Sequence, residues 1–547
     1  MMEIKWMIVA AVSDRRASIG DRRYHDIAAL WNESRVKQRE AGCHLPEGLL
    51  CPATRPEGPP GGNRGTLAVL LMILNIFDLT LNHRLGRLLS FRRRRTFLSP
   101  SREGCSYLWQ VSRMAFAIIM LSSASVYGQE SSDSKQSEPQ RWNFHLQSTA
   151  LGQTHPSFPA EYTGTNSLNP RDEIKETVSF DATGGVRLWK GAELFGDVLI
   201  WQGFGLSKTL GVAGFPNGEA FRIGKSAPDA AVCRAFLRQT FGLGGGKESV
   251  EEGPTDLRGT RDVRRLVLTI GHLSAKDIFD NNAYANDPRS QFMNWALYAN
   301  TAWDYPANVL GFTNGVALEF YTRNWTGRAG IFMVSKVANG ERLNWNLAEA
   351  WSAVAELERK HALRGHPGTI RFLGYDMRAN MGNYQQTLND PSLGMDIALT
   401  AAYRNKYGFG INAEQEIRKN LGAFIRLGWT PGKNQTYEFT DVDRTASVGI
   451  SLKGAKWRRQ QDTVGVAVVV NGISSVHRQY LAAGGLGITV GDGALNYRTE
   501  RLLEMYYNWR ISKHFELSPD YQFAWNPAYN RARGPANIFA LRLHTEY

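Results

Sequence analysis

The sequence predicts an all-β fold, a closed antiparallel transmembrane β-barrel of about 16 strands, and three observations predict it. The first is the end of the chain. Phe539, Leu541, Leu543, Thr545 and Tyr547 fall on one face, and Ala540, Arg542, His544 and Glu546 on the other. The second is that this period of two recurs upstream in runs of about 8–11 residues, the length a tilted membrane strand needs. The third is hydropathy. The mean is −0.34, and no stretch offers about 18 uninterrupted apolar residues, which excludes a helical membrane protein. A barrel survives that test, because half of each strand is polar.

The front of the 547-residue chain stands apart. Residues 1–110 mix Arg runs, a Pro/Gly cluster and one short apolar run, Leu67 to Phe77, and read as a mis-assigned or disordered extension. Residues 111–128 read as a signal peptide: Arg113, then an apolar stretch to Leu121, then small residues through Gly128. Val126 and Gly128 suit a cleavage site, so Gln129 is the expected mature N-terminus, and residues 129–140 read as a disordered linker. The formal charge of +13 invites a nucleic-acid reading, but about 18 Lys+Arg against 10 Asp+Glu lie in residues 1–128, so the surplus belongs mostly to the front. Cys43, Cys51 and Cys105 lie there too; Cys233 alone follows, and neither a disulfide nor a zinc site is expected in the barrel.

Along residues 141–547 the runs come in order. Trp142, Phe144 and Leu146 alternate with Asn143, His145 and Gln147; Leu266, Leu268 and Ile270 with Arg265, Val267 and Thr269; Val316, Leu318 and Phe320 with Ala317, Glu319, Tyr321 and Arg323. Leu347 to His361 has helix-forming composition, yet Trp351, Ala353, Ala355 and Leu357 against Ser352, Val354, Glu356 and Glu358 fit a strand. Then follow Phe409 to Arg418, Leu421 to Trp429, Thr463 to Asn471, Leu503 to Arg510 and Tyr521 to Trp525. Aromatics gather at the run ends (Trp142, Trp429, Trp509, Trp525, Tyr547), where interfacial girdles sit. The 407 residues from 141 to 547, at about 25 per strand and loop, give about 16 strands around an aqueous channel. Phe539, Leu541, Leu543 and Tyr547 resemble the signal read by the barrel-assembly machinery, and their strand is expected to pair with Trp142 to Ala150, removing the sheet edge.

One stretch does not alternate: Lys276-Asp277-Ile278-Phe279-Asp280-Asn281 through Asn286-Asp287-Pro288-Arg289 to Asn294. It resembles the loop motif of the carbohydrate-selective porin family (OprB type) of Gram-negative bacteria. Trp303 to Pro306, Asn380 to Tyr384, Tyr480 to Gly487 with Gly491 to Gly493, and Pro519 to His544 resemble the same family. The resemblance covers about residues 141–547. It implies a 16-stranded outer-membrane barrel that passes sugars, glucose-like ones in the best-known members.

A sugar offers hydroxyls and weakly apolar ring faces, so its wall needs forked donors, carboxylate acceptors and aromatic faces. The alternation assigns Glu319, Arg323, Glu414, Glu416, Arg418, Arg426, Glu504, Tyr506 and Arg510 to the lumen. The plainer reading is that most of these charges pair across strands and hold the wall together. The stretch carrying Asp277, Asp280, Asn286, Asp287, Arg289 and Asn294 either folds inward as a constriction or forms an extracellular turn on its own Asn/Asp hydrogen bonds. Its acidic residues lack calcium-loop spacing, and no metal or cofactor is expected. Gly242 to Lys247 fails as a phosphate loop, since Glu248 follows the lysine, and no catalytic elbow or metalloprotease helix is found. The leading function is passive, selective diffusion of sugars, with no enzyme activity and no nucleic-acid partner. A barrel enzyme of lipase or protease type and an anion-selective porin are the alternatives; both a monomer and a homotrimer remain open.

Overall fold

The structure, a computed structural model, describes residues 139–220 and 223–547. The expected extension, signal peptide and most of the linker lie outside the described residues. Sixteen strands close a barrel in which each neighbours the next along the chain. They are β1 (Trp142–His155), β2 (Glu173–Trp189), β3 (Ala192–Gly203), β4 (Lys225–Gly242), β7 (Arg265–Leu273), β8 (Thr313–Tyr321), β9 (Trp325–Phe332) and β10 (Trp351–Leu363). The second half runs through β11 (His366–Met381), β12 (Ala402–Arg418), β13 (Leu421–Trp429), β14 (Arg444–Gly454), β15 (Arg459–Gly472), β16 (Glu500–Ser512), β17 (Phe515–Trp525) and β18 (Ala536–Glu546). Between β4 and β7, β5 (Lys247–Val250) and β6 (Gly259–Asp262) form a separate hairpin. No described helix is long and apolar enough to cross a membrane; the crossing is made by strands.

Closure comes from β1 and β18, paired antiparallel from Gln147↔Glu546 to Thr154↔Phe539. The expected first strand therefore pairs with the last, and the backbones of Leu146 and Tyr547 exchange two further hydrogen bonds, 2.9 and 2.8 Å. A closed sheet leaves no unpaired edge, which lipid cannot solvate. At one end the connections are mostly tight turns, such as 190–191, 364–365 and 419–420; at the other all are longer. Short turns mark the periplasmic side of such barrels.

Although Leu347 to Ala350 and Arg323 lie outside the strands, each of the ten alternating runs falls on a strand, the one with helix-forming composition from Trp351 onward. Six strands were not among them: β2, β3, β4, β9, β11 and β14. β11 shows why. Its inward face carries Leu373, Tyr375, Met377, Ala379 and Met381, all buried, while Asp376, Arg378 and Asn380 point outward. Polarity inverts because the lumen here is not water but packed protein. Phe279, Trp303, Phe332, Tyr375 and Met377 belong to one apolar cluster inside the barrel.

Candidate functional site

The cluster forms because the β7–β8 connection, residues 274–312, folds into the lumen. It begins with a tight turn in which Ser274 and Asp277 cap each other. Asp277 then takes both arms of Arg234 on β4 at 2.7 Å each, and Arg234 also reaches Asp197 on β3 at 2.6 Å. Asp280, in a left-handed conformation, is the deepest anchor. Its carboxylate accepts from Arg426 Nε (3.0 Å), Asn412 Nδ2 (2.7 Å) and the Asn300 N–H (2.9 Å).

The middle of the segment is clamped by wall strands from β12 to β18. Glu414 accepts from the Ala283 N–H, and Glu504 accepts from the N–H groups of Met293 and Asn294 at 2.5 and 2.9 Å. Arg542 donates to the carbonyls of Pro288 and Gln291. Asn294 caps a one-turn helix, α1 (Trp295–Tyr298), and donates to Gln522 on β17 at 3.0 Å. Asn286 and Asp287 shape the turn: Lys276 Nζ donates to Asn286 Oδ1, and Asp287 accepts from the Arg289 N–H and the Ser290 hydroxyl. Buried backbone groups need partners, and here the wall's charged side chains supply them.

The lumen candidates thus do different things. Arg426, Glu414 and Glu504 hold the inserted segment, and Tyr506 meets Phe292 edge to face at 4.9 Å. Glu319 belongs to a ladder of charges across five strands, in which Arg328 bridges Glu319, Glu356 and Glu358, and Arg371 bridges Glu358 and Glu414. Glu416 accepts from His366, and Arg510 pairs with Glu516. Two assignments are corrected. Arg323 lies exposed in the β8–β9 turn and Arg418 ends β12, also exposed, because alternation runs past the point where the strand stops facing the lumen.

Beside the inserted segment, towards β2–β4, lies a cavity of about 440 Å³. Its lining includes Arg289, held by Asp181 (2.8 Å) and Glu219 (3.0 Å), and the Arg234–Asp277 pair. Trp295, Tyr298 and Tyr305 line it as well, with Trp295 and Tyr305 stacked at 6.0 Å. Burial pushes the Tyr298 and Tyr305 hydroxyls well above the ordinary tyrosine range, so both are neutral donors. Tyr305 entered the sequence reading only within the Trp303 to Pro306 resemblance, and Arg234, Glu219, Trp295 and Tyr298 escaped it, since they lie outside the runs that alternate cleanly. So did residues 251–257 in the β4–β7 connection, whose Pro254 and Thr255 also line the cavity, with Asn143 Nδ2 donating to the Gly253 carbonyl at 2.8 Å.

The sequence matches the family profile described as "Carbohydrate-selective porin, OprB family" over residues 165–547. Among solved structures, the high-pH structure of Pseudomonas putida OprB is similar with a TM-score of 0.57 at 15% identity, covering 74% of this chain and 94% of that one. The low-pH structure of the same protein gives 0.40 at 12%, with 74% and 93% covered. The outer-membrane channel DcaP of Acinetobacter baumannii gives 0.41 at 8%, with 77% and 100% covered. No curated protein matches. With a profile match spanning most of the chain and a closed 16-stranded barrel, the chain belongs to the OprB family of carbohydrate-selective porins, and it is a sugar-diffusion channel of the Gram-negative outer membrane.

Proposed function

We propose that neutral, glucose-sized sugars cross through the cavity beside the inserted segment, without being chemically altered. The observation that carries this is that one cavity is lined both by forked donors, Arg289 and Arg234, and by the aromatic side chains Trp295, Tyr298 and Tyr305. Arginine forks suit vicinal hydroxyls, and ring faces suit the C–H side of a pyranose. Each arginine already holds two carboxylates, which provide acceptors and remove the uncompensated positive charge an anion-selective pore needs. Contacts this few and partly wet favour weak binding, as release requires.

Planar-bilayer recording with glucose titrated against ionic current tests the reading. Glucose is expected to reduce the current and Arg289→Ala to weaken that block about tenfold, the effect of losing one charge-assisted contact. A current indifferent to glucose and to larger sugars would sink it. We further infer that the barrel-assembly machinery reads Phe539, Leu541 and Leu543, outward on the closing strand, together with Tyr547 just past its end. Lipid-facing and subunit-facing apolar walls have the same chemistry, so monomer and homotrimer remain alternatives for size measurement in detergent.

A further inference from the structure

The outer wall is not uniformly ridged. Across β8 to β11 two rows of outward residues register: Phe320, Gly327, Leu357 and Phe372 in one, and Leu318, Ala329, Ala355 and Gly374 in the next. The small residues make the floor of a groove of about 610 Å³, and Phe320, Leu318, Leu357 and Phe372 make its walls. A Cβ on Gly327 or Gly374 would meet nothing within 4 Å, so the dent is open outward.

One row nearer the short-turn end, Arg359 registers with Trp325 and Ile370. Its guanidinium lies 5.2 Å from the Trp325 ring centroid. The adjacent carboxylate, Glu358, points into the lumen and pairs with Arg328 and Arg371, which leaves Arg359 with no ion pair among the described residues. An exposed guanidinium at a girdle, directly above an apolar groove, matches a molecule with a phosphate head and an acyl tail.

We propose that this groove holds one glycerophospholipid of the periplasmic leaflet, with an acyl chain over Gly327, Ala329, Ala355 and Gly374 and its phosphate on Arg359. Charge complementarity selects this occupant over a second copy of the chain. At the short-turn end the outward girdle includes Trp142, Phe144, Trp189 and Trp509, exposed side chains that offer Arg359 no counter-charge. Buried against them the guanidinium would stay uncompensated, whereas a phosphate satisfies the fork.

Native mass spectrometry of the delipidated full barrel in neutral detergent tests this with two added probes, phosphatidylglycerol and the phosphate-free dioleoylglycerol. One phosphatidylglycerol per barrel should be retained and dioleoylglycerol should not. Arg359→Ala, which removes the head contact, and Gly374→Leu, which fills the groove from outside, should each lower retention about tenfold. Should one variant fail to fold, the other decides. Equal retention by wild type and folded variants overturns the proposal, as does equal retention of both probes. Lipid-free oligomers that Gly374→Leu dissociates also overturn it, making the groove an interface between copies.

Discussion

Arg426 is 1% exposed inside a β-barrel wall, and the hydrogen bonds of its guanidinium go to the inserted segment. Its fork reaches Asp280 Oδ1 and the carbonyls of Leu297, Asp280 and Ala285 at 2.7–3.2 Å. Arg426→Ala leaves the Asp280 carboxylate buried without this partner, a loss of about 3–5 kcal/mol. Single-channel currents should become larger and noisier and sugar block weaker; an unchanged conductance would show that the segment holds without it. Glu438, in the β13–β14 connection, makes a different point. Its Oε1 accepts from the Ser335 hydroxyl at 2.7 Å, while Oε2 is buried without a partner. Burial, with Asp304 near by, pushes its carboxyl well above the ordinary glutamate range. The folded state thus holds this proton more tightly than the unfolded one, and stability is lost as pH rises from the ordinary value towards the folded one. Glu438→Gln should therefore stabilise the protein at about pH 8 by about 1 kcal/mol or more, with no difference near pH 4, as measured by thermal unfolding.

At the scale of elements, the inserted segment decides what the strands around it look like. Glycines on β12 and β13 make room for it: a Cβ on Gly428 would lie 2.0 Å from Asn300 Oδ1, and one on Gly422 2.0 Å from the Tyr284 ring. Gly428→Ala should displace Asn300 and lower stability by about 1–3 kcal/mol, with the channel altered and the barrel intact. Unfolding temperature and conductance together check this, and a variant unchanged in both would show that Asn300 yields freely. The same packing explains the sequence pattern. Leu421 to Trp429 alternates legibly because Phe424 and Arg426 face in and Ile425 and Leu427 face lipid. β11 does not, because Tyr375 and Met377 meet the apolar cluster. Nothing in a period of two distinguishes a lumen filled by protein from one filled by water.

The whole molecule depends on closure. Tyr547 stacks on His514 at 4.6 Å and bonds through its backbone to Leu146, so it lies where the last strand meets the first. Deleting it should reduce the folded, heat-modifiable form in outer-membrane fractions, while barrels that do assemble keep wild-type sugar block. Normal assembly of the deletion would contradict the role given to the terminal strand. Charge at this scale is mostly internal: the ladder from Glu319 through Arg328, Glu356, Glu358 and Arg371 to Glu414 stitches β8 to β12 inside the wall. The bare list of lumen charges therefore described a scaffold more than a solute path.

By itself the sequence determined the barrel, its strand number and its closing pair, because lipid on one side forces apolar residues to every second position and a terminal strand to find a partner. Only the tertiary structure decided that residues 274–312 fold inward, which side of them stays open, and that Arg234 joins Arg289, already a constriction candidate, at the gap while Arg323 and Arg418 lie away from it. Asx turns and caps look alike inside a lumen and outside a cell. What places the segment is a set of contacts made across more than a hundred residues of chain, from Glu504 to Met293 and from Arg542 to Pro288, and local periodicity carries no record of them.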